Sequence, residues 1–300
     1  MFFQQVLNGV TLGGIYALIS LGYTMVYGIL FMINFAHSEI FMLGAFFGFY
    51  SLLFFSQFSF IQDNLFLQLS LAFFLSIVCS GLVGVAMERC AYRPLRKAGR
   101  LVPLISAIGI SIFLQNLVML IISPQSKPFP EIFPAKSYTF GNLSINSLQI
   151  FIIVVSLILM FLLQYFINKT KLGCAIRATS ADREMATLMG INVNFIISVV
   201  FFIGGSLGGA AGVLVGMYYG SIKYNMGFIY GIKAFTCAVL GGIGNIPGAM
   251  LGGFTLGILE SLGAAYISST YKDAFAFIIL ILVLIFKPTG ILGERVPEKY

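Results

Sequence analysis

The chain holds no tryptophan, one histidine and four cysteines in 300 residues, and only 9% of its residues are charged. Each shortage removes a class of function. With His37 as the only histidine, neither a Ser/His/Asp relay nor a His/Cys zinc cluster has enough members. Cys79 and Cys237 fall in apolar stretches, Cys90 and Cys174 beside basic ones, so neither a disulfide framework nor a metal-ligand spacing emerges. No Gly-Lys dipeptide occurs, so the G-x-x-x-x-G-K-[ST] cradle for ATP phosphates is missing from this chain. Gly204-Gly-Ser-Leu-Gly208 spells the hydrolase string G-x-S-x-G, but within an apolar run with no strand before it. In Leu240-Gly-Gly-Ile-Gly-Asn-Ile-Pro-Gly248, Pro247 stands where a dinucleotide loop needs its third glycine. Catalytic readings fail, and neither a catalytic residue nor a metal is expected.

The shortage of charge is decisive for architecture. With 59% hydrophobic residues and mean hydropathy +1.00, a water-facing shell cannot be assembled for a globular fold of this length. A bilayer core needs about 20 apolar residues per helix. Intervals without Asp, Glu, Lys, Arg or His fill the chain: 1–36, 40–62, 64–87, 101–126, 137–168, 185–222, 234–259, 261–271 and 274–286. They predict an all-α, polytopic membrane protein of eight or nine spans, some interrupted, forming one transmembrane domain over residues 1–300. The first span lacks a basic leader and a cleavage site, so it reads as retained.

Basic residues set the expected orientation, because short loops rich in them stay cytoplasmic. Loop 88–103 holds Arg89, Arg93, Arg96, Lys97 and Arg100; loop 168–192 holds Lys169, Lys171, Arg177 and Arg183; the tail holds Lys287, Arg295 and Lys299. These three are expected inside, with a cytoplasmic C-terminus. Segment 124–146, with prolines at 124, 128, 130 and 134, is left outside. The net charge of +7 is thus a topology signal; anionic lipid headgroups fit it, and nucleic acid does not.

Glycines 204, 208, 212, 216 and 220 recur every fourth residue, leaving a bare helix face that lets another backbone approach, either as fixed packing or as a sliding surface. Two apolar segments are broken and restarted: Met32-Ile-Asn-Phe-Ala-His-Ser-Glu39, and Gly241 to Gly248. Such paired breaks line substrate paths in some transporters, which nominates Asn34, His37, Glu39, Gly242, Gly244, Asn245 and Pro247. The competing reading of the first break is capping, with Ser38 as N-cap and Glu39 in the first turn. Glu260 lies inside an apolar span and expects an intramembrane partner, for which Lys233 is nearest in chemistry; a structural ion pair and a ligand role both fit.

One stretch is unlike the rest: Arg177-Ala-Thr-Ser-Ala-Asp-Arg-Glu-Met-Ala-Thr-Leu-Met-Gly-Ile-Asn192 reads as a water-soluble helix. Thr179 and Asp182 fit the capping form [ST]-x-x-[DE], and Gly190 fits a helix stop. The prediction is a helix of about three turns. Ala181, Met185, Leu188 and Met189 share an apolar face opposite Arg183. That face suits a protein groove; lying on the lipid surface is the alternative.

Within this stretch, Glu184-Met-Ala-Thr-Leu-Met-Gly190 resembles the E-A-A-x-x-x-G loop of ABC-importer permeases. Residues 7–45, 88–116 and 233–293, the last containing LGGIGNIPGAMLGG and FKPTGILG, resemble the branched-chain amino acid ABC-transporter permease family, of the shorter kind. The resemblance implies a transport subunit of the bacterial inner membrane, not an enzyme. It implies a second related permease, two cytoplasmic ATPases that bind the ATP, and an extracytoplasmic substrate-binding protein. It assigns ATPase coupling to Asp182, Arg183, Glu184, Ala186, Leu188 and Gly190. A urea or short-amide permease of the same superfamily is one alternative; a stand-alone ion-coupled carrier or channel using Lys233 and Glu260 is another.

Overall fold

The structure is a computed structural model and describes residues 2–32, 34–58, 64–96, 98–99, 101–133, 136–140, 143–287 and 289–293. Ile33, Lys97, Arg100, Pro134, Arg295 and Lys299 lie outside the described residues. Eleven helices follow in order among them. They are α1 (Phe2–Leu30), α2 (His37–Phe55), α3 (Leu65–Met87), α4 (Leu101–Ile121), α5 (Ser147–Lys169), α6 (Lys171–Ala181), α7 (Arg183–Leu188), α8 (Val193–Tyr219), α9 (Met226–Gly241), α10 (Ile246–Tyr266) and α11 (Lys272–Phe286). Seven are long and apolar enough to span a membrane; α9, with 16 residues, is a shorter apolar helix, and α11 has 15 residues. The chain is therefore a polytopic all-α membrane protein, as its charge-free intervals predict.

Helix α1 is nearly enclosed by its neighbours, whereas α4 leaves most of its apolar side chains outward. Glycines make the enclosure possible. On α1 and α10, Gly13 and Gly257 meet so closely that a Cβ on Gly257 would lie 2.4 Å from the Gly13 backbone nitrogen. In a membrane, where lipid tails are as apolar as leucine, such backbone contact supplies the attraction between helices.

Two ends are distinguishable. At one, strands β2 (Ser137–Phe140) and β3 (Leu143–Asn146) form a hairpin beside Gln4, whose amide both donates to and accepts from the backbone of Ser144. There too β1 (Lys127–Pro128) pairs with β4 (Ser221–Ile222). At the other end lie the last turn of α1, α6, α7, residues 88–96 and 289–293. Basic segments expected to be cytoplasmic thus share one end.

Both basic segments between the spans, 88–103 and 168–192, contain helical turns among their described residues. Residues 88–92 continue α3 as a π-helical turn, because Glu88, fully buried, is neutralised by Arg93 at 2.9 Å and Arg96 at 2.8 Å and accepts from the Ser198 hydroxyl. Residues 171–188 are two short helices.

Candidate functional site

The stretch 177–192 departs from its predicted form. Thr179 is buried inside α6 and donates to the carbonyl of Ala175, so it caps nothing. Asp182 is the cap: its backbone is extended and its carboxylate accepts from the amides of Glu184 and Met185. The break at Asp182 turns one predicted helix into two, with α7 the shorter. Gly190 does end it, with φ +81° in the left-handed region.

Helix α7 is amphipathic in an unusual sense. Its charged Arg183 points inward and donates twice to the carbonyl of Ile29 on α1, through Nε at 3.2 Å and through Nη2. Burial holds this guanidinium below its ordinary pKa, and Arg96 nearby adds to the shift. Ala186 is 3% exposed, whereas Leu188 is 80% and Met189 79% exposed, with Met185 and Glu184 also outward. The apolar face expected opposite Arg183 exists, and among the described residues nothing covers Met185, Leu188 or Met189.

At the first break, α2 begins at His37 with Ala36 at the cap position; Ser38 is no cap, and its hydroxyl donates to the carbonyl of Phe35. The three nominated side chains are buried. Asn34 Oδ1 accepts from the Tyr92 hydroxyl at 2.6 Å, and Glu39 Oε1 accepts from that of Ser111 at 3.0 Å. His37 stacks edge-on with Tyr23 at 4.9 Å and lies against Gly22 and Gly204. Asn34 Nδ2, His37 Nε2 and Glu39 Oε2 find no hydrogen bond among the described residues. Buried polar atoms without partners are costly and ask for a role.

The second break is a tight turn. Gly242 and Gly244 have φ +105° and +95°, which L side chains rarely adopt. Asn245 accepts from the amide of Gly248 and donates to the carbonyl of Leu292; Pro247 sits in the first turn of α10. Ile291 and Leu292 also donate to the carbonyls of Leu240 and Gly241, so residues 289–293 strap the turn. Gly244 lies near Gly28 of α1. Among the described residues no hydrogen bond joins this turn to the His37 group.

Lys233 and Glu260 meet at 2.6 Å, and the pair has members the sequence reading missed: Asp273 at 2.6 Å from Lys233 Nζ, and Tyr16, whose hydroxyl lies 3.2 Å from both partners. Asp273 follows a polar Ser-Ser-Thr-Tyr-Lys run and gives no signal of a membrane-facing role. The glycine row of α8 is also only partly as expected. Gly204, Gly208 and Gly212 lie against α1 and α2, and Gly216 against the Phe129 ring; Gly220 leaves the row as the left-handed C-cap, φ +64°.

A family profile described as "Branched-chain amino acid transport system / permease component" matches residues 5–284. The chain belongs to this family. It is 50% identical, over 99% of its length and 98% of the relative's, to the high-affinity branched-chain amino acid transport system permease protein BraD of Pseudomonas aeruginosa. It is 47% identical to the corresponding LivH of Escherichia coli K12, over 99% of this chain and 97% of that one. A more distant similarity, 29% over 46% of the chain, links it to the fructose import permease protein FrcC of Rhizobium meliloti. As a permease of this family the chain is a transport protein, and the match runs through α7, both breaks and the Lys233 network.

Proposed function

We propose that this permease is one subunit of an ABC importer for leucine, isoleucine, valine or related hydrophobic amino acids. It sits in a bacterial inner membrane with α7 and the C-terminus in the cytoplasm, paired with a second permease. The substrate class rests on the high-affinity relatives at 47–50% identity. One observation carries the mechanism: α7 turns its half-buried arginine against α1 and presents Met185, Leu188 and Met189 outward.

That inversion suits a handle. An exposed methionine and leucine face repacks readily into a partner's groove, and the half-buried Arg183 ties it to the carbonyl end of a helix that runs through the protein's centre. Closure of two ATPases, which hold the ATP, moves the α7 end; α1 transmits the movement to the glycine contacts around His37. Asn34, His37 and Glu39 then offer unpaired polar atoms to the substrate path, with the 242–245 turn as the gate at the cytoplasmic mouth. An extracytoplasmic binding protein delivers the amino acid at the hairpin end.

The test is reconstitution of the chain with its partner permease, ATPases and binding protein in liposomes. Leucine with its binding protein should stimulate ATP hydrolysis and uptake together. Uptake by the single chain without ATPases would overturn the proposal in favour of a stand-alone carrier; stimulation by urea or amides alone would overturn the substrate class.

A further inference from the structure

Beside the buried Glu88 is a groove of about 380 Å³ at the α7 end, between the end of α3 and the start of α8. Its lining is mixed. Arg89 and Arg93 line it together with the polar Asn192, Asn194 and Ser198, and Val85, Phe195, Val199 and Phe202 supply the apolar side chains. Arg89 is exposed and has no ion-pair partner among the described residues. Arg93 spends Nε and Nη2 on Glu88 and Ser198, while its Nη1 carries no hydrogen bond among the described residues. Glu88 cancels one charge of the three arginines 89, 93 and 96, which leaves this corner at +2. A cationic, polar mouth beside apolar side chains, where spanning helices end, matches the headgroup and upper acyl chain of an anionic phospholipid.

We infer that this groove binds one anionic phospholipid, its phosphate against Arg89 and the free edge of Arg93, and an acyl chain along Val85, Val199 and Phe202. Lipid binding here needs only that the chain spans a membrane, and it is independent of the substrate and of the ATPases. Basic pockets between membrane helices on the side of an anionic leaflet hold headgroups by the same charge attraction. The Glu88 cluster thereby gains a second role, since the arginines that neutralise the buried carboxylate also bring a lipid to the joint between α3 and α8.

The probes are phosphatidylglycerol, phosphatidylcholine of equal chain length, and inorganic phosphate, each offered to the purified full chain and read by native mass spectrometry. Phosphatidylglycerol should be retained over phosphatidylcholine. Arg89→Gln should weaken that retention about fivefold, the factor expected for one basic residue at an anionic surface. Val199→Trp, which fills the apolar channel and leaves both arginines in place, should weaken it too. Equal retention of the two lipids, or retention unchanged in both variants, would overturn the assignment. Displacement of the lipid by millimolar inorganic phosphate would also overturn it, since that outcome marks a free-anion site. Arg89 is exposed, so elution of its variant as the same monodisperse peak shows that the fold is intact.

Discussion

Arg183 and Ile29, 154 positions apart, are joined by a guanidinium-to-carbonyl hydrogen bond that fixes α7 to the penultimate residue of α1. The bond fastens α7, whose outer side chains are exposed, to the most enclosed of the spanning helices. A hydrogen bond involving a charged donor contributes about 1.5–3 kcal/mol. Arg183→Ala should therefore loosen α7 without unfolding the spans. The expected outcome is normal membrane insertion with ATP-driven uptake reduced at least about tenfold, the equivalent of some 1.4 kcal/mol, and ATP hydrolysis no longer stimulated by substrate. Unchanged stimulation would show that the bond carries no force.

Gly190 has φ +81°, and its amide donates to the carbonyl of Thr187. Proline there lacks the donor and cannot adopt the angle. Gly190→Pro should abolish uptake while the chain remains inserted, whereas Gly190→Ala should cost only about 1 kcal/mol of local stability. Glu184→Lys, a charge reversal on an exposed position, should also abolish uptake. Uptake assays beside a membrane-fraction blot separate these effects from loss of expression.

Lys233 pairs with Glu260 where both side chains are buried. Removing one partner of a buried pair strands the other charge at a cost of about 3–5 kcal/mol, and removing both together is far milder. Lys233→Met should lower the thermal midpoint in detergent steeply, and the double change Lys233→Met with Glu260→Gln should recover most of it. Asp273 is partly exposed, so Asp273→Asn should shift stability by less than about 1 kcal/mol. Equal midpoints for the single and double variants would mean that the pair is not coupled.

Gly257 and Gly109 offer a contrast in one protein. A Cβ on Gly257 would strike the backbone of Gly13 and Gly9, while one on exposed Gly109 meets nothing within 4 Å. Gly257→Ala should destabilise by about 1–3 kcal/mol through overpacking. Gly109→Ala should stabilise by up to about 1 kcal/mol through helix propensity. The check is thermal unfolding in detergent; the two effects should have opposite sign.

Much of this fold is readable from composition, because a charge-free interval of span length has few alternatives in lipid: α1, α3, α4 and α8 lie within such intervals, and α5 passes its own only at Lys169. The Lys233–Glu260 contact is readable for the same reason, since an intramembrane carboxylate needs a cation. What escapes the sequence depends on burial between distant segments. Thr179 and Asp182 satisfy one capping rule, and only the burial of Thr179 within α6 decides that Asp182 does the capping. Glu88 reads as the start of a loop until Arg93 and Arg96 fold back to neutralise it and let the helix continue. Residues 289–293 carry no periodicity, so their strap across Leu240 and Gly241 leaves no local trace. Gly220 keeps the four-residue spacing of the glycine row but serves the turn that ends α8.

Whether α7 is gripped by a motor subunit is decided by photo-crosslinking from Met189, with a probe at the exposed Ile105 of α4 as the control. In membranes containing the assembled importer, the Met189 probe should give a single adduct with an ATPase subunit, and the Ile105 probe none. Adducts from Met189 to lipid alone, with the ATPases present and active, would refute the coupling role of α7.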